Sequence, residues 1–207
     1  MIPFTKVSGI AAPMPAPNID TDIIMPKQFL KRIDREGLAI GAFHDLRFDE
    51  TGAERPEFVL NKIPYRSAKF LICGDNFGCG SSREYAVWGL LQLGIRAIIA
   101  PSISGIFFGN CEKNGLLAIT VPQADVDPLV AHASLPETSE MQIDLHNQTI
   151  LASSLCVPFE ISDTRKQLLL SGADHIQTTL NATDQIRAFE KKQQSHAPWL
   201  WAHLAKG

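Results

Sequence analysis

Ala68-Lys69-Phe70-Leu71-Ile72-Cys73-Gly74-Asp75-Asn76-Phe77-Gly78-Cys79-Gly80-Ser81-Ser82-Arg83-Glu84 is the stretch on which the fold turns. Residues 68–73 have the length and flanks of a buried strand. They deliver the chain into a turn with glycines at 74, 78 and 80, and a helix follows. Ser81 or Ser82 caps that helix, Ala86, Val87, Leu90 and Leu93 lie on one side of it, and Gly94 stops it.

The same rhythm continues downstream. Ala97-Ile98-Ile99-Ala100 reads as a second buried strand, Ile103 to Asn114 as a helix ended by Gly115, and Leu116 to Val121 as a third strand. Strand, helix, strand, helix, strand predicts parallel pairing with right-handed crossovers, an α/β class. After Pro122 the pattern changes. Met141 to Leu145 and Thr149 to Leu151 flank His146-Asn147-Gln148 as a hairpin, and Val157 to Ile161 adds a strand. The expectation is a parallel-dominated mixed sheet flanked by helices. From Asp163 the chain turns helical, with a stop at Gly172 and a further helix from about Thr183 to Gln194. Residues 1–207 therefore read as one domain, with about 160–207 a helical C-terminal extension whose tail carries Trp199 and Trp201.

Upstream, Val7 to Pro26 holds Pro13, Pro15, Pro17 and Pro26, which excludes long regular elements there. The acidic cluster Asn18-Ile19-Asp20-Thr21-Asp22 reads as a polar loop leading into a short strand at Ile23–Met25. Gln28 to about Gly37 is charged and helical in pattern, and Ala39 to Arg55 reads as an excursion from the core.

Composition narrows the function. With 207 residues, 45% hydrophobic and 20% charged, the chain can bury a sizeable core and is not disordered. A net charge of −3 and no dense Lys/Arg run argue against nucleic acid. The beginning has no signal-peptide pattern and no stretch is apolar enough to cross a bilayer, so the chain reads as cytoplasmic. Cys73, Cys79, Cys111 and Cys156 form no C-x-x-C pair, and no metal site is expected on this chain. Cys73 reads as a small buried apolar residue; Cys79 lies inside the glycine-rich turn.

That turn carries the chemistry. Its glycines let the backbone fold tightly and direct N–H groups outward, and a helix start adds positive potential, which together make an anion cradle. Neither G-x-G-x-x-G nor G-x-x-x-x-G-K-[ST] is present. Two hydroxyls and a guanidinium stand there instead. Arg83 can take a carboxylate in a bidentate fork, Ser82 can add a hydrogen bond, and Ser81 can act on a neighbouring carbon. Two serines alone would read as helix caps; three glycines before them and an arginine behind favour function.

Residues 74–84 resemble the active-site signature of the swivelling domain of the aconitase superfamily, in particular the small subunits of 3-isopropylmalate dehydratases. Asn18–Asp22 with Pro26-Lys27-Gln28-Phe29-Leu30, and the run from Ile98 to Cys111, resemble the same family. The resemblance implies a β/β/α fold and a hydro-lyase active only with a large subunit that carries a 4Fe-4S cluster, with no cofactor on this chain. It implies interconversion of 2-isopropylmalate and 3-isopropylmalate through isopropylmaleate, in leucine biosynthesis. Carried over, Ser81 is the general base and Ser82 and Arg83 hold the substrate carboxylate, with Gly80 and Cys79 in the cradle. Asp20, Thr21, Asp22, Lys27, Asp75 and Asn76 support it. The segment from Leu30 to Phe48 resembles a loop that closes over the substrate, which makes Ile33, Leu38 and Phe43 specificity candidates. Tyr85 stands where the family often has His. Two other readings stay open: a related hydro-lyase for another 2-hydroxy diacid, of citraconate or homoaconitate type, and a non-catalytic anion-binding partner.

Overall fold

The computed structural model describes residues 1–31, 35–173, 176, 179–180 and 182–201. The chain divides into two compact units, Met1–Gly172 and Ala173–Gly207. The first unit is built on β1 (Lys6–Met14), β2 (Phe70–Cys73), β3 (Ala97–Ala100), β4 (Leu117–Thr120), β5 (Glu140–Asp144), β6 (Thr149–Ala152) and β7 (Leu155–Pro158). They form one sheet in the order β4-β3-β2-β1-β5-β6-β7. β1, β2, β3 and β4 pair in parallel, and β1, β5, β6 and β7 pair antiparallel. The ends of β4 and β7 line one open cavity, through Thr120, Val121 and Pro122 on one side and Pro158 and Phe159 on the other. The sheet is therefore curled until its edges approach.

Every residue of β2 and β3 is buried, as expected for parallel strands covered on both faces. Their side chains alternate between two cores. Leu71, Cys73, Ile98 and Ala100 face one, with α3 (Glu84–Leu93) and α4 (Gly105–Asn114). Phe70, Ile72, Ala97 and Ile99 face the other, with Phe4, α5 (Gln123–Ala133), the hairpin β5–β6 and Leu169 of α6 (Asp163–Ser171). The glycine stops hold: Gly94, Gly115 and Gly172 all end helices at positive φ.

Where the sequence reading fails, the cause is local. Val7 to Pro26 is not irregular, because β1 runs nine residues through Pro13. Lys69 N–H donates to Ile10 O and Gly74 N–H to Met14 O, so even-numbered residues of β1 present their backbone to β2. Odd-numbered ones face β5, whose last contact is Ser139 O with Ala11 N–H. The nitrogen of Pro13 thus points where no strand remains, and its missing donor costs no ladder bond. Ile23–Met25 is not a strand. Ile23 and Ile24 end α1 (Thr21–Ile24), with Met25 as the extended residue that follows it; the turn is capped at its start by Asp20, whose Oδ1 accepts from Ile23 N–H at 2.8 Å.

The expected helix over 28–37 reduces to a 3-10 turn at Lys27–Lys31, while 32–34 lie outside the described residues. The excursion after Ala39 is partly core, since Leu38, Ala42 and Phe43 are fully buried around α2 (His44–Arg47). α5 has no counterpart among the expected elements, because Pro128 stands in its interior. In the second unit, α7 (Thr183–His196) is followed by a short turn, Pro198–Leu200.

Candidate active site

Three loops meet at the carboxyl ends of the parallel strands β1, β2 and β3, the edge where open α/β sheets bind ligands. They are 15–20 ahead of α1, 74–83 ahead of α3, and 101–104 ahead of α4. Backbone hydrogen bonds braid them. Asn18 N–H donates to Asp75 O, Gly78 N–H to Ile19 O and Thr21 N–H to Cys79 O; Phe77 N–H donates to Ser102 O and Ser104 N–H to Phe77 O. Asn76, at positive φ, donates its backbone N–H to the Ser102 hydroxyl oxygen at 2.9 Å and its side-chain amide to Asn18 Oδ1 at 2.8 Å. Ser102 in turn donates to Asp75.

Phe77 anchors the middle loop. Its ring is fully buried and meets Phe107 of α4 edge-on, with centroids 5.6 Å apart. Burial of such a ring stabilises by about 2–3 kcal/mol. Gly78 follows at φ 71°, and a Cβ there would lie 2.3 Å from a ring carbon of Phe107, so only glycine fits.

The anion cradle differs from its expected form. The N–H groups of Asn76, Phe77, Gly78 and Ser81 are spent on neighbouring loops. Among the described residues those of Gly80 and Ser82 make no hydrogen bond and are left for a ligand. Neither serine caps α3. The cap residue is Arg83, in extended conformation, without a side-chain bond. Both serines sit on open surface with their hydroxyls free of capping duty.

Thr21 fixes Ser81. The buried Thr21 Oγ1 donates to Ser81 O at 3.0 Å, accepts from Ser81 N–H at 3.2 Å and lies 3.3 Å from Ser81 Oγ. A hydroxyl has one proton to give. With Thr21 giving its proton to the carbonyl, the Ser81 hydroxyl donates to Thr21, and the lone pairs of Ser81 remain exposed as acceptors.

Arg83 is drawn inward. Its side chain is 11% exposed, and Nη1 bonds Asp22 Oδ1 at 2.6 Å and Met25 O at 3.2 Å. Lys27 Nζ lies 3.9 Å from the same carboxylate oxygen. The hydrogen bond from Arg83 holds the Asp22 carboxyl below its ordinary pKa against desolvation, with the charges of Arg83 and Lys27 adding to it. Asp22 thus stays ionised and keeps Nη1 occupied; among the described residues Nε and Nη2 of Arg83 make no hydrogen bond.

The structure therefore brings Ser81, Ser82, Arg83, Gly80, Cys79, Asp20, Thr21, Asp22 and Lys27 to one edge, with Asp75 and Asn76 bracing it from behind. Leu38 and Phe43 are fully buried in the core and present no surface to a ligand. Ile33 lies outside the described residues. Tyr85 packs against Trp88 with the rings tilted by 53° and their centroids 4.8 Å apart. Sequence reasoning missed Ser102 and Asn18 as braces. Their signal was positional, since both follow the carboxyl end of a parallel strand. Among the described residues no three His, Cys, Asp or Glu side chains gather to hold a metal ion, and no helix is long and apolar enough to cross a membrane.

Residues 1–124 match the aconitase C-terminal domain, and residues 176–201 match the C-terminal domain of the 3-isopropylmalate dehydratase small subunit. The chain is 50% identical to the 3-isopropylmalate dehydratase small subunit of Dinoroseobacter shibae, over 95% of this chain and 98% of that one. It is also 50% identical to that of Rhodospirillum rubrum, over 95% and 96%. The crystal structure of a 3-isopropylmalate dehydratase from Methanocaldococcus jannaschii has the same fold, with a TM-score of 0.62 at 23% identity over 91% of this chain and 99% of that one. The chain belongs to the aconitase-type family of 3-isopropylmalate dehydratase small subunits.

Proposed function

We propose that this chain is the small subunit of a cytoplasmic two-chain hydro-lyase that interconverts 2-isopropylmalate and 3-isopropylmalate through isopropylmaleate, and that Ser81 is its general base. The observation that carries the reading is the exposed Ser81 hydroxyl, held by Thr21 beside the partly free guanidinium of Arg83. Family membership supports the substrate.

A serine alkoxide is far too basic to persist unaided at neutral pH, so its negative charge must be met by preorganised donors. The Arg83 charge and the N–H groups of Gly80 and Ser82 are the donors at hand. Ser82 Oγ and the Nε–Nη2 edge of Arg83 take one substrate carboxylate and set the reacting carbon against Ser81. Ser81 then removes the carbon-bound proton as the hydroxyl leaves the adjacent carbon, and returns a proton when water adds in the other sense. The Lewis acid for the departing hydroxyl would come from a 4Fe-4S cluster held by the large subunit.

The test is reconstitution with a 3-isopropylmalate dehydratase large subunit. The pair is expected to form and consume isopropylmaleate, each chain alone to be inactive, and Ser81→Ala to lose at least a thousandfold in kcat with cluster content and assembly unchanged. Turnover by Ser81→Ala at the wild-type rate defeats the assignment of the base. Faster turnover of 2-methylmalate or homocitrate than of isopropylmalate moves the chain to a neighbouring hydro-lyase.

A further inference from the structure

A second, separate site lies beneath α2. A cavity of about 110 Å³ is lined by Arg47, Leu60, Tyr65, Arg66, Ala68, Leu93 and Ile95. Its two cations differ. Arg66 is fully committed: Nε donates to Asn61 O at 2.8 Å, and both terminal nitrogens pair with the Glu54 carboxylate. Arg47 is not. Its Nη1 donates to Ala39 O at 2.7 Å and Ala42 O at 3.2 Å, while Nε is buried with no partner. Nη2 makes no hydrogen bond among the described residues.

The unpaired atoms are the two N–H groups on one edge of the guanidinium, the edge that takes a carboxylate in a two-point fork. A buried N–H without an acceptor is costly, and a charged one more so. Glu54 does not discharge that cost, since its carboxylate is held by Arg66. Leu60, Ala68, Leu93 and Ile95 add aliphatic side chains to the lining. The Tyr65 hydroxyl is turned away, donating to Ala133 O at 2.7 Å. Glu54 attracts Arg47 through space and the Phe48 ring centroid lies 5.0 Å from its guanidinium carbon, but neither gives Nε or Nη2 an acceptor, and an unpaired donor edge beside aliphatic side chains selects a monoanion with a short hydrocarbon body. The volume fits that size, because an apolar cavity of about 150 Å³ accommodates benzene.

We propose that this cavity binds a small aliphatic monocarboxylate, with its carboxylate on Arg47 Nε and Nη2 and its hydrocarbon against Leu60, Ala68, Leu93 and Ile95. Occupancy tightens the segment 38–47, because Arg47 already ties Ala39 and Ala42 to α2 through Nη1. The site is independent of Ser81 and of the reaction assigned to it.

Isobutyrate is the probe, titrated into the full chain by calorimetry, with isobutyramide as its neutral isostere and chloride as the simple anion. Saturable one-to-one binding of isobutyrate is expected, at least tenfold tighter than either control. Arg47→Lys keeps the charge without the fork and is expected to weaken it tenfold or more, whereas Arg83→Lys leaves it unchanged. Leu93→Phe, which fills the cavity and spares Arg47, is expected to abolish binding, so the proposal stands or falls even should Arg47→Lys fold poorly. No saturable binding to the wild-type chain, equal binding of isobutyramide, or loss in Arg83→Lys but not in the cavity variants overturns it.

Discussion

Asp22 Oδ1 sits 2.6 Å from Nη1 of Arg83, and the two residues come from different loops. Asp22 belongs to the single turn of α1 that follows β1, and Arg83 caps α3 after β2. The ion pair therefore ties together the two loops that hold Ser81. It also fixes which part of the guanidinium meets a substrate, since one terminal nitrogen is engaged by Asp22 and the Met25 carbonyl.

Arg83→Lys keeps the charge but cannot serve Asp22 and a carboxylate at once. In the assembled enzyme KM is expected to rise and kcat/KM to fall more than tenfold, a loss above about 1.4 kcal/mol in transition-state binding. Asp22→Asn preserves an acceptor for Nη1 and is expected to cost less. Steady-state kinetics separates the two, and a wild-type KM in Arg83→Lys would remove the carboxylate from that side chain.

Thr21→Val removes the hydroxyl that orients Ser81 while preserving shape. The expected result is a drop in kcat of about ten- to a hundredfold with KM little changed, and recovery in Thr21→Ser, which restores the hydroxyl. A purely structural role for Thr21 predicts instead that the loss tracks thermal stability across both variants.

Much of this site could be read from residues 74–84, because glycine spacing, hydroxyls and a guanidinium carry local signals that need no partner element. The strands β2 and β3 were legible for a similar reason, being short apolar runs with turn residues at both ends. What failed depended on distant neighbours. Pro13 is tolerated only because β5 ends before reaching it, and Leu38 and Phe43 are core only because α3 and the 58–60 segment cover them. Serine capping of α3 failed because Thr21, 60 residues away, takes hold of Ser81. The Arg47 fork left no trace in the sequence, since it is defined by bonds that are not made.

Gly78→Ala and Gly80→Ala separate stability from catalysis. At Gly78 the new methyl meets the Phe107 ring and φ is 71°, so overpacking adds to backbone strain, about 2–5 kcal/mol in all. At Gly80 φ is 93° but the nearest atom, Thr21 Oγ1, is 3.3 Å from the new Cβ, leaving about 1–2 kcal/mol of strain. Urea denaturation is expected to rank Gly78→Ala as the more damaged. Kinetics on the folded fraction is expected to rank Gly80→Ala as the slower, because its methyl presses on the residue that orients Ser81. The reverse order in kinetics would detach Thr21 from catalysis.

Acid sensitivity follows from three aspartates. Asn147 N–H bonds the Asp144 carboxylate at 3.0 Å, and this bond first, then the Asn147 amide and the charge of Lys6, holds its pKa down against desolvation. Asp49 is lowered mainly by the Thr51 hydroxyl and the Ala53 N–H, and Asp22 by Arg83. In each case the folded pKa lies below the unfolded one, so on acidification the unfolded chain takes up the proton first. The stabilisation is complete above the ordinary carboxylate range, about pH 4, and is lost as the pH falls through the folded values. The urea midpoint of the isolated chain is therefore expected to be flat from pH 7 to 5 and to fall below pH 4. Asp144→Asn keeps an acceptor for Asn147 but has no proton to exchange, so its midpoint should start lower and decline less steeply. Parallel curves for the two proteins below pH 4 would show that the hydrogen bonds at Asp144 contribute nothing to the acid response.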